Sequence, residues 1–260
     1  MKLKHCLLPN CIFAEIYSMS EKITPYQNSD LGKKEQVTQM FDTISENYDG
    51  LNRVISFGID IKWRKRVVSI LTKKKPDYIL DIATGTGDLA INLVQTGATK
   101  IVGLDISPGM LEVGKKKVIE KKLEHIIKMI EGDSENLPFP DDTFDAITVA
   151  FGVRNFETLD KGLAEIYRVL KPTGTFVVLE TSVPTKSPYK QGYSFYTKNV
   201  LPRIGKLFSK DDSAYAYLSE SASVFPHGKK FNNILQKIGF IDVVNKPQTF
   251  GVASIYVATK

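Results

Sequence analysis

The stretch Asp81-Ile82-Ala83-Thr84-Gly85-Thr86-Gly87-Asp88 joins a β-rich run, Tyr78 to Ala83, to a helical pattern that begins near residue 88. In an open α/β sheet ligands bind beyond the carboxyl ends of the strands, and glycines at such a turn let a ligand approach the backbone. Gly85 and Gly87 therefore mark a binding turn. Downstream, β-rich runs at Ile101 to Asp105, Ile126 to Glu131, Phe144 to Ala150 and Phe176 to Glu180 alternate with helical patterns at about 88–96, 108–122 and 157–171. That alternation predicts βαβ units, with right-handed crossovers and helices on both faces of a parallel sheet. Upstream, 33–47 and 54–72 read as amphipathic helices, with Val37, Met40, Phe41 and Ile44 on one face of the first and Trp63, Val67, Ile70 and Leu71 on the second. After Glu180 the pattern changes. Residues 184–225 hold no strand run and read as a helical insertion, followed by a helix at Phe231 to Ile238 and strands at Phe240 to Val244 and Val252 to Ala258. Only 245–251 separates those two strands, too little for a crossover, so they should pair antiparallel. The expected fold is α/β and Rossmann-like: a mostly parallel seven-stranded sheet with an antiparallel terminal hairpin and helices on both faces.

Composition narrows the class. A chain of 260 residues, 42% hydrophobic and 25% charged, buries a sizeable core and is neither collagen, coiled coil nor disordered. Thirty-five Lys+Arg against 29 Asp+Glu leave +6, which favours contact with something anionic without naming it. Cys6 and Cys11 are the only cysteines, and His5, His125 and His227 are scattered, so neither a disulfide framework nor a metal site is expected. No run of 18 apolar residues occurs, so no membrane-spanning helix is expected. The first 18 residues lack the cleavage site of a secretory signal, and the polar run after Met19 makes that methionine the expected start. Residues 1–32 are expected to be a poorly ordered segment before a single domain over 33–260.

Gly85-x-Gly87-x-x-Ala90 also matches a dinucleotide fingerprint, so an NAD-type ligand has to be weighed. The neighbouring acids argue against it. Asp88 falls where a pyrophosphate would sit and Asp81 lies just below the turn; carboxylates there repel a diphosphate and suit a cation. Asp105 ends the second strand, where an acid accepts hydrogen bonds from ribose hydroxyls, and Asp133, beside Ser134, can accept from an exocyclic amine. Together these describe a pocket for a nucleoside bearing a positive centre, which S-adenosylmethionine satisfies.

The chain also resembles the quinone-ring C-methyltransferases of menaquinone and ubiquinone biosynthesis over about 33–260. The resemblance lies in Tyr48-Asp49-Gly50-Leu51-Asn52 through Ser56 to Trp63, in 80–89, 103–114, 132–139 and 168–182, in Phe151-Gly152-Val153-Arg154-Asn155, and in Tyr217-Leu218-Ser219-Glu220-Ser221. It implies a class I S-adenosylmethionine-dependent methyltransferase fold and C-methylation of demethylmenaquinol, or alternatively of a methoxy-polyprenyl-benzoquinol. Carried over, it implies Thr86, Asp105, Asp133 and Ser134 as cofactor contacts at the Gly85–Gly87 turn. Departures are Leu51, Asp60, Thr173, the Asp133-Ser134 pair and Ala150, where the family often has Met, His, Gly, Asn-Ala and, in some members, Ser. Arg154 is the candidate for polarising the acceptor's hydroxyl or stabilising its oxyanion, unless it pairs structurally with an acid. Tyr48 and Asn155 are candidates for orienting the ring. The insertion interleaves Tyr189, Tyr193, Phe195, Tyr196, Leu201, Ile204, Leu207 and Phe208 with Lys186, Lys190, Lys198, Arg203, Lys206 and Lys210. Such a mixture suits single-stranded nucleic acid or a lipid surface. The resemblance favours a lid for a polyprenyl tail, with peripheral contact to an anionic membrane on its cytoplasmic side and no nucleic-acid partner. A homodimer is compatible with the sequence.

Overall fold

A computed structural model describes residues 23–201, 203 and 212–260. Strands β1 (Tyr78–Ile82), β2 (Lys100–Asp105), β3 (Ile127–Glu131), β4 (Phe144–Ala150), β5 (Leu170–Thr181), β6 (Ile241–Gln248) and β7 (Ala253–Thr259) form one seven-stranded sheet in the order β3-β2-β1-β4-β5-β7-β6. β7 pairs antiparallel with both β5 and β6, and the pairs from β3 to β5 are parallel.

The period-2 alternation of the strands sorts residues into two layers. Leu80 and Ile82 of β1 pack with α6 (Leu159–Val169) and α9 (Lys229–Ile238) through Leu163, Ile166, Phe231 and Leu235. Ile79, of opposite parity, faces the other layer: Trp63, Val67 and Leu71 of α3 (Ile59–Thr72), Leu89 and Leu93 of α4 (Asp88–Leu93), and Leu111 and Val118 of α5 (Pro108–Glu120). A smaller cluster seats α1 (Lys33–Ile44) by Val37, Met40 and Ile44 against Met110 of α5 and Tyr217 of α8 (Asp212–Val224). Of the segment 1–32, residues 1–22 lie outside the described residues. Ile23 and Tyr26 pack on the α1 cluster, and the Tyr26 N–H donates to Gln36 Oε1 at 2.9 Å.

Local chemistry moved several boundaries. The helix expected over 54–72 is two helices, α2 (Tyr48–Ser56) and α3, divided where Phe57 and Gly58 take positive φ of 51° and 70°. The Gly58 N–H donates to the Arg53 carbonyl at 2.8 Å, a glycine-assisted helix stop. β6 runs on through Lys246, Pro247 and Gln248, expected as loop; it is the edge strand, where proline's missing N–H goes unneeded. The reversal falls instead at Thr249–Gly251, all three residues having positive φ. The helix expected to reach 171 ends at Val169 and β5 starts at once, its pairing with β4 irregular between Phe144 and Ala146. Within 184–225, α7 (Tyr189–Phe195) continues through a π-type turn, Tyr196–Val200, and α8 follows. Ile204, Lys206, Leu207, Phe208 and Lys210 lie outside the described residues. No described helix is long and apolar enough to cross a membrane.

Candidate active site

A cavity opens at the carboxyl ends of β1, β2 and β4, roofed by α1 and α2. Its wall includes Lys34, Val37, Phe41, Tyr48, Gly85, Asp105, Ile106, Met110, Asp133, Ser134, Ala150, Phe151 and Asn155. Of the residues singled out from sequence, Tyr48, Gly85, Asp105, Asp133, Ser134 and Asn155 thus share one wall. Thr86, Gly87 and Arg154 do not line it.

Asp105 is held ready. It is 8% exposed; Oδ2 accepts the Gly85 N–H at 2.7 Å and Oδ1 the Ser107 N–H at 2.9 Å. Each oxygen retains a second lone pair, so the carboxylate can accept two further donors of fixed direction. Burial pushes its carboxyl up, while the Ser107, Gly85 and Ile106 N–H groups pull it back. Gly85 has φ +56° and open space where a Cβ would stand, leaving its backbone accessible from the cavity. Gly152 is required for packing: a Cβ there would lie 2.4 Å from Ala83 Cβ.

Asp133 accepts from Lys34 Nζ at 2.7 Å and from the Glu135 N–H at 2.8 Å. The Lys34 ammonium is pushed up mainly by that hydrogen bond to Asp133. α1 is anchored by three further hydrogen bonds: Asp42 Oδ1 accepts from Ser107 Oγ at 2.6 Å and from the Gly109 N–H at 2.9 Å, and Lys33 Nζ donates to the Phe156 carbonyl at 2.8 Å. Thr86 Oγ1 donates to Asp49 Oδ1 at 2.6 Å, and Lys117 Nζ reaches Asp49 at 2.7 Å, Asp88 at 2.5 Å and Thr86 at 3.2 Å. That cluster clamps α2, which carries Tyr48, onto the glycine turn.

The four-acid picture is therefore corrected for two of its members. Asp88 answers Lys117 and Arg53; burial works against its charge, but the Lys117 ammonium more than offsets it and the carboxyl lies below its usual range. Asp81 is 1% exposed, sits on the Ile79 side of β1 and accepts from Thr84 Oγ1 at 2.6 Å and Thr148 Oγ1 at 2.5 Å. Burial pushes its carboxyl up to about 6. A carboxyl that holds its proton more tightly folded than unfolded lends full stability below the unfolded value, and loses it as pH rises through the folded one. Asp81→Asn should therefore gain on the native protein by up to about 3 kcal/mol between pH 4 and pH 7. Urea unfolding of both proteins at the two pH values measures this; a difference independent of pH would contradict it.

Arg154 lies behind the wall, 6% exposed at its side chain, with Nη1 donating to Glu180 Oε1 at 2.6 Å and to the Phe151 carbonyl at 2.8 Å. It does pair with an acid. Burial works against its charge, yet Glu180 more than compensates and the guanidinium stays fully charged. Two tyrosines adjoin it. Tyr48 meets Phe41 edge-on at 5.8 Å, and its hydroxyl is pushed up by burial. Tyr217 donates to Asn155 Oδ1 at 3.1 Å, and burial pushes its own hydroxyl up to about 12. Asn155 Nδ2 bonds the Phe151 carbonyl loosely at 3.4 Å and keeps a second hydrogen for a ligand. Among the described residues no group of three or more His, Cys, Asp or Glu side chains is arranged to hold a metal ion.

Known proteins match this chain along nearly its whole length. The profile of the ubiE/COQ5 methyltransferase family matches residues 29–260. A demethylmenaquinone methyltransferase of Bacteroides fragilis is 48% identical over 241 residues, covering 92% of this chain and 98% of the relative. One of Thermus thermophilus is 44% identical, covering 85% and 100%. A ubiquinone/menaquinone biosynthesis C-methyltransferase, UbiE, of Geobacter sulfurreducens is 43% identical, covering 92% and 93%. A solved S-adenosylmethionine-dependent methyltransferase of Thermotoga maritima superposes with a TM-score of 0.60 at 17% identity, covering 85% of this chain and 99% of its own. The [4+2]-cyclase SpnF reaches the same score and identity, covering 87% and 96%, so that likeness speaks for the fold alone. The glycine turn, the acid closing β2 and the Phe-Gly-x-Arg-Asn loop thus stand in a chain that belongs to the ubiE/COQ5 methyltransferase family.

Proposed function

We propose that the chain methylates a ring carbon of demethylmenaquinol, yielding menaquinol, with S-adenosylmethionine as donor. The observation that carries this reading is Asp105, buried at the end of β2 with each oxygen held by a backbone N–H group, in a cavity that Tyr48 and Asn155 also line. Those residues fit the cofactor. Asp105 would take the ribose hydroxyls, Asp133 and Ser134 the adenine edge, and the open backbone at Gly85 the chain between them. S-adenosylmethionine supplies there a methyl group made electrophilic by its sulfonium charge.

The chain's own residues place and activate the acceptor. Asn155 and Tyr48 hold the ring against the cavity wall, and the apolar side chains of Val37, Phe41, Ile106 and Met110 keep water out. Alignment of donor and acceptor is the chief source of rate in such a displacement. Arg154, always charged and held behind the wall by Glu180 and the Phe151 carbonyl, acts from there through its field on negative charge growing on the ring oxygen. The described part of 184–201 contains Lys186, Lys190 and Lys198 and no acidic residue, and Arg203 follows it. Phe57, Phe195 and Phe250 are exposed there, and Tyr189 stacks on Phe250 at 4.0 Å. These residues support a lid that takes the polyprenyl tail while its cations rest on anionic head groups at the cytoplasmic side of a membrane.

The test incubates purified protein with S-adenosylmethionine and chemically reduced demethylmenaquinol, with a methoxy-polyprenyl-benzoquinol in parallel, and follows each by mass spectrometry. One methyl group added to the naphthoquinol is the expected result. Cofactor binding without methylation of either quinol would remove the acceptor assignment. Co-sedimentation with vesicles containing anionic lipid, absent with neutral vesicles, tests the surface contact.

A further inference from the structure

The Tyr217-Leu218-Ser219-Glu220-Ser221 run lies in α8, at the end of the inserted segment, and meets the acceptor's end of the cavity through the Tyr217 hydroxyl. Tyr217 is 2% exposed and packs in the cluster that seats α1, with Val37 and Met40. Its hydroxyl donates to Asn155 Oδ1 at 3.1 Å, across 62 residues of chain. Asn155, a wall residue, ends the helical turn Val153–Asn155. That turn has a fixed backbone: the Asn155 N–H donates to the Gly152 carbonyl at 2.9 Å, and Lys33 Nζ donates to the Arg154 and Phe156 carbonyls on either side at 3.2 and 2.8 Å.

What the backbone does not fix is which way the amide faces. Its donor and acceptor ends have the same shape, so the neighbours decide. The Phe151 carbonyl can only accept, and it lies 3.4 Å from Nδ2; with the amide turned over, oxygen would face oxygen there. At the other end the Tyr217 hydroxyl donates to Oδ1. Burial pushes that hydroxyl up to about 12, so at neutral pH it keeps the proton it donates. Both neighbours select the same orientation, and the Tyr217 bond is the shorter of the two. One Nδ2 hydrogen goes to the Phe151 carbonyl. The other is left for a ligand, so Asn155 offers an N–H and suits an oxygen on the acceptor.

We propose that Tyr217 is a positioning residue for the methyl transfer, its hydroxyl fixing the Asn155 amide so that Nδ2 donates to a ring oxygen of the acceptor. This rests on the quinol reading above. A donor fixed in advance favours the transition state, in which negative charge grows on that oxygen as the ring carbon attacks. The inserted segment thereby contributes to the chemistry through α8.

Tyr217→Phe removes one oxygen and keeps the packing of the ring. Its kcat should fall about 5- to 15-fold, as for the loss of one oriented hydrogen bond, with KM for S-adenosylmethionine unchanged within about threefold. Asn155→Ala should fall about 100-fold. In the Asn155→Ala background, Tyr217→Phe should change kcat by less than about twofold, because a residue that acts through another then has nothing to act on. Asn155→Asp keeps the shape and the Tyr217 bond but has no hydrogen to give. It should lose at least as much as Asn155→Ala, and it carries the test if Tyr217→Phe does not fold. A further readout needs no turnover: the side-chain amide signals of Asn155 in the cofactor-free protein, assigned by their loss in Asn155→Ala, should shift in Tyr217→Phe. Wild-type kcat in Tyr217→Phe or in Asn155→Asp, additive losses in the double variant, or unmoved amide signals would each overturn the proposal. Failure of the quinol reading is distinct, since wild-type protein would then methylate neither quinol.

Discussion

Asp105→Ala abolishes measurable binding of S-adenosylmethionine by titration calorimetry, weakening it by 10²–10⁴-fold. That range follows from losing two hydrogen bonds to a charged acceptor at about 1.5–3 kcal/mol each. The side chain also shapes the turn that contacts the ligand. Without it the N–H groups of Gly85 and Ser107, held at 2.7 and 2.9 Å, lose their acceptor, and the glycine turn loses its tie to the end of β2. Asp105→Asn fares little better, because one backbone N–H then meets an amide N–H instead of an oxygen. A dissociation constant for Asp105→Ala within threefold of wild type would show that the cofactor lies elsewhere in the cavity.

Asp105 was legible because everything that defines it is local: an apolar β run, an acid at its last position, and a helix to follow. Asp81 fails because it lies inside β1, ahead of its last residue, with Thr84 and Thr148 donating to its two oxygens. Strand parity does not set it apart, since Asp105 shares the face of Ile101 as Asp81 shares that of Ile79. Asp88 fails for another reason: its partners, Lys117 and Arg53, lie 29 and 35 residues away, on helices whose mutual placement no periodicity encodes. Lys34 on Asp133 spans 99 residues and Asp42 reaches α5 across 65, which is why the roofing of the cavity by α1 could not be read from the chain. Gly58 marks the opposite case. The break between α2 and α3 was readable from the glycine, and apolar periodicity alone hid it.

Arg154→Ala loses turnover at least about 100-fold, as expected when a fixed positive charge beside a developing oxyanion is removed, and keeps cofactor affinity within threefold of wild type. It is also unstable. Glu180 then remains a buried carboxylate with only Thr181 as donor, and stranding one partner of a buried pair costs about 3–5 kcal/mol, measurable by urea unfolding. Stability and activity separate in the double variant Arg154→Met with Glu180→Leu. Apolar side chains of similar size remove both charges, so most of the lost stability should return, yet turnover should not, because the guanidinium charge behind the cavity wall is gone. Recovery of both would make the pair a structural staple with no part in the reaction. Loss of cofactor affinity in Arg154→Ala equal to that in Asp105→Ala would overturn the division between an acid that holds the donor and a buried pair that prepares the acceptor.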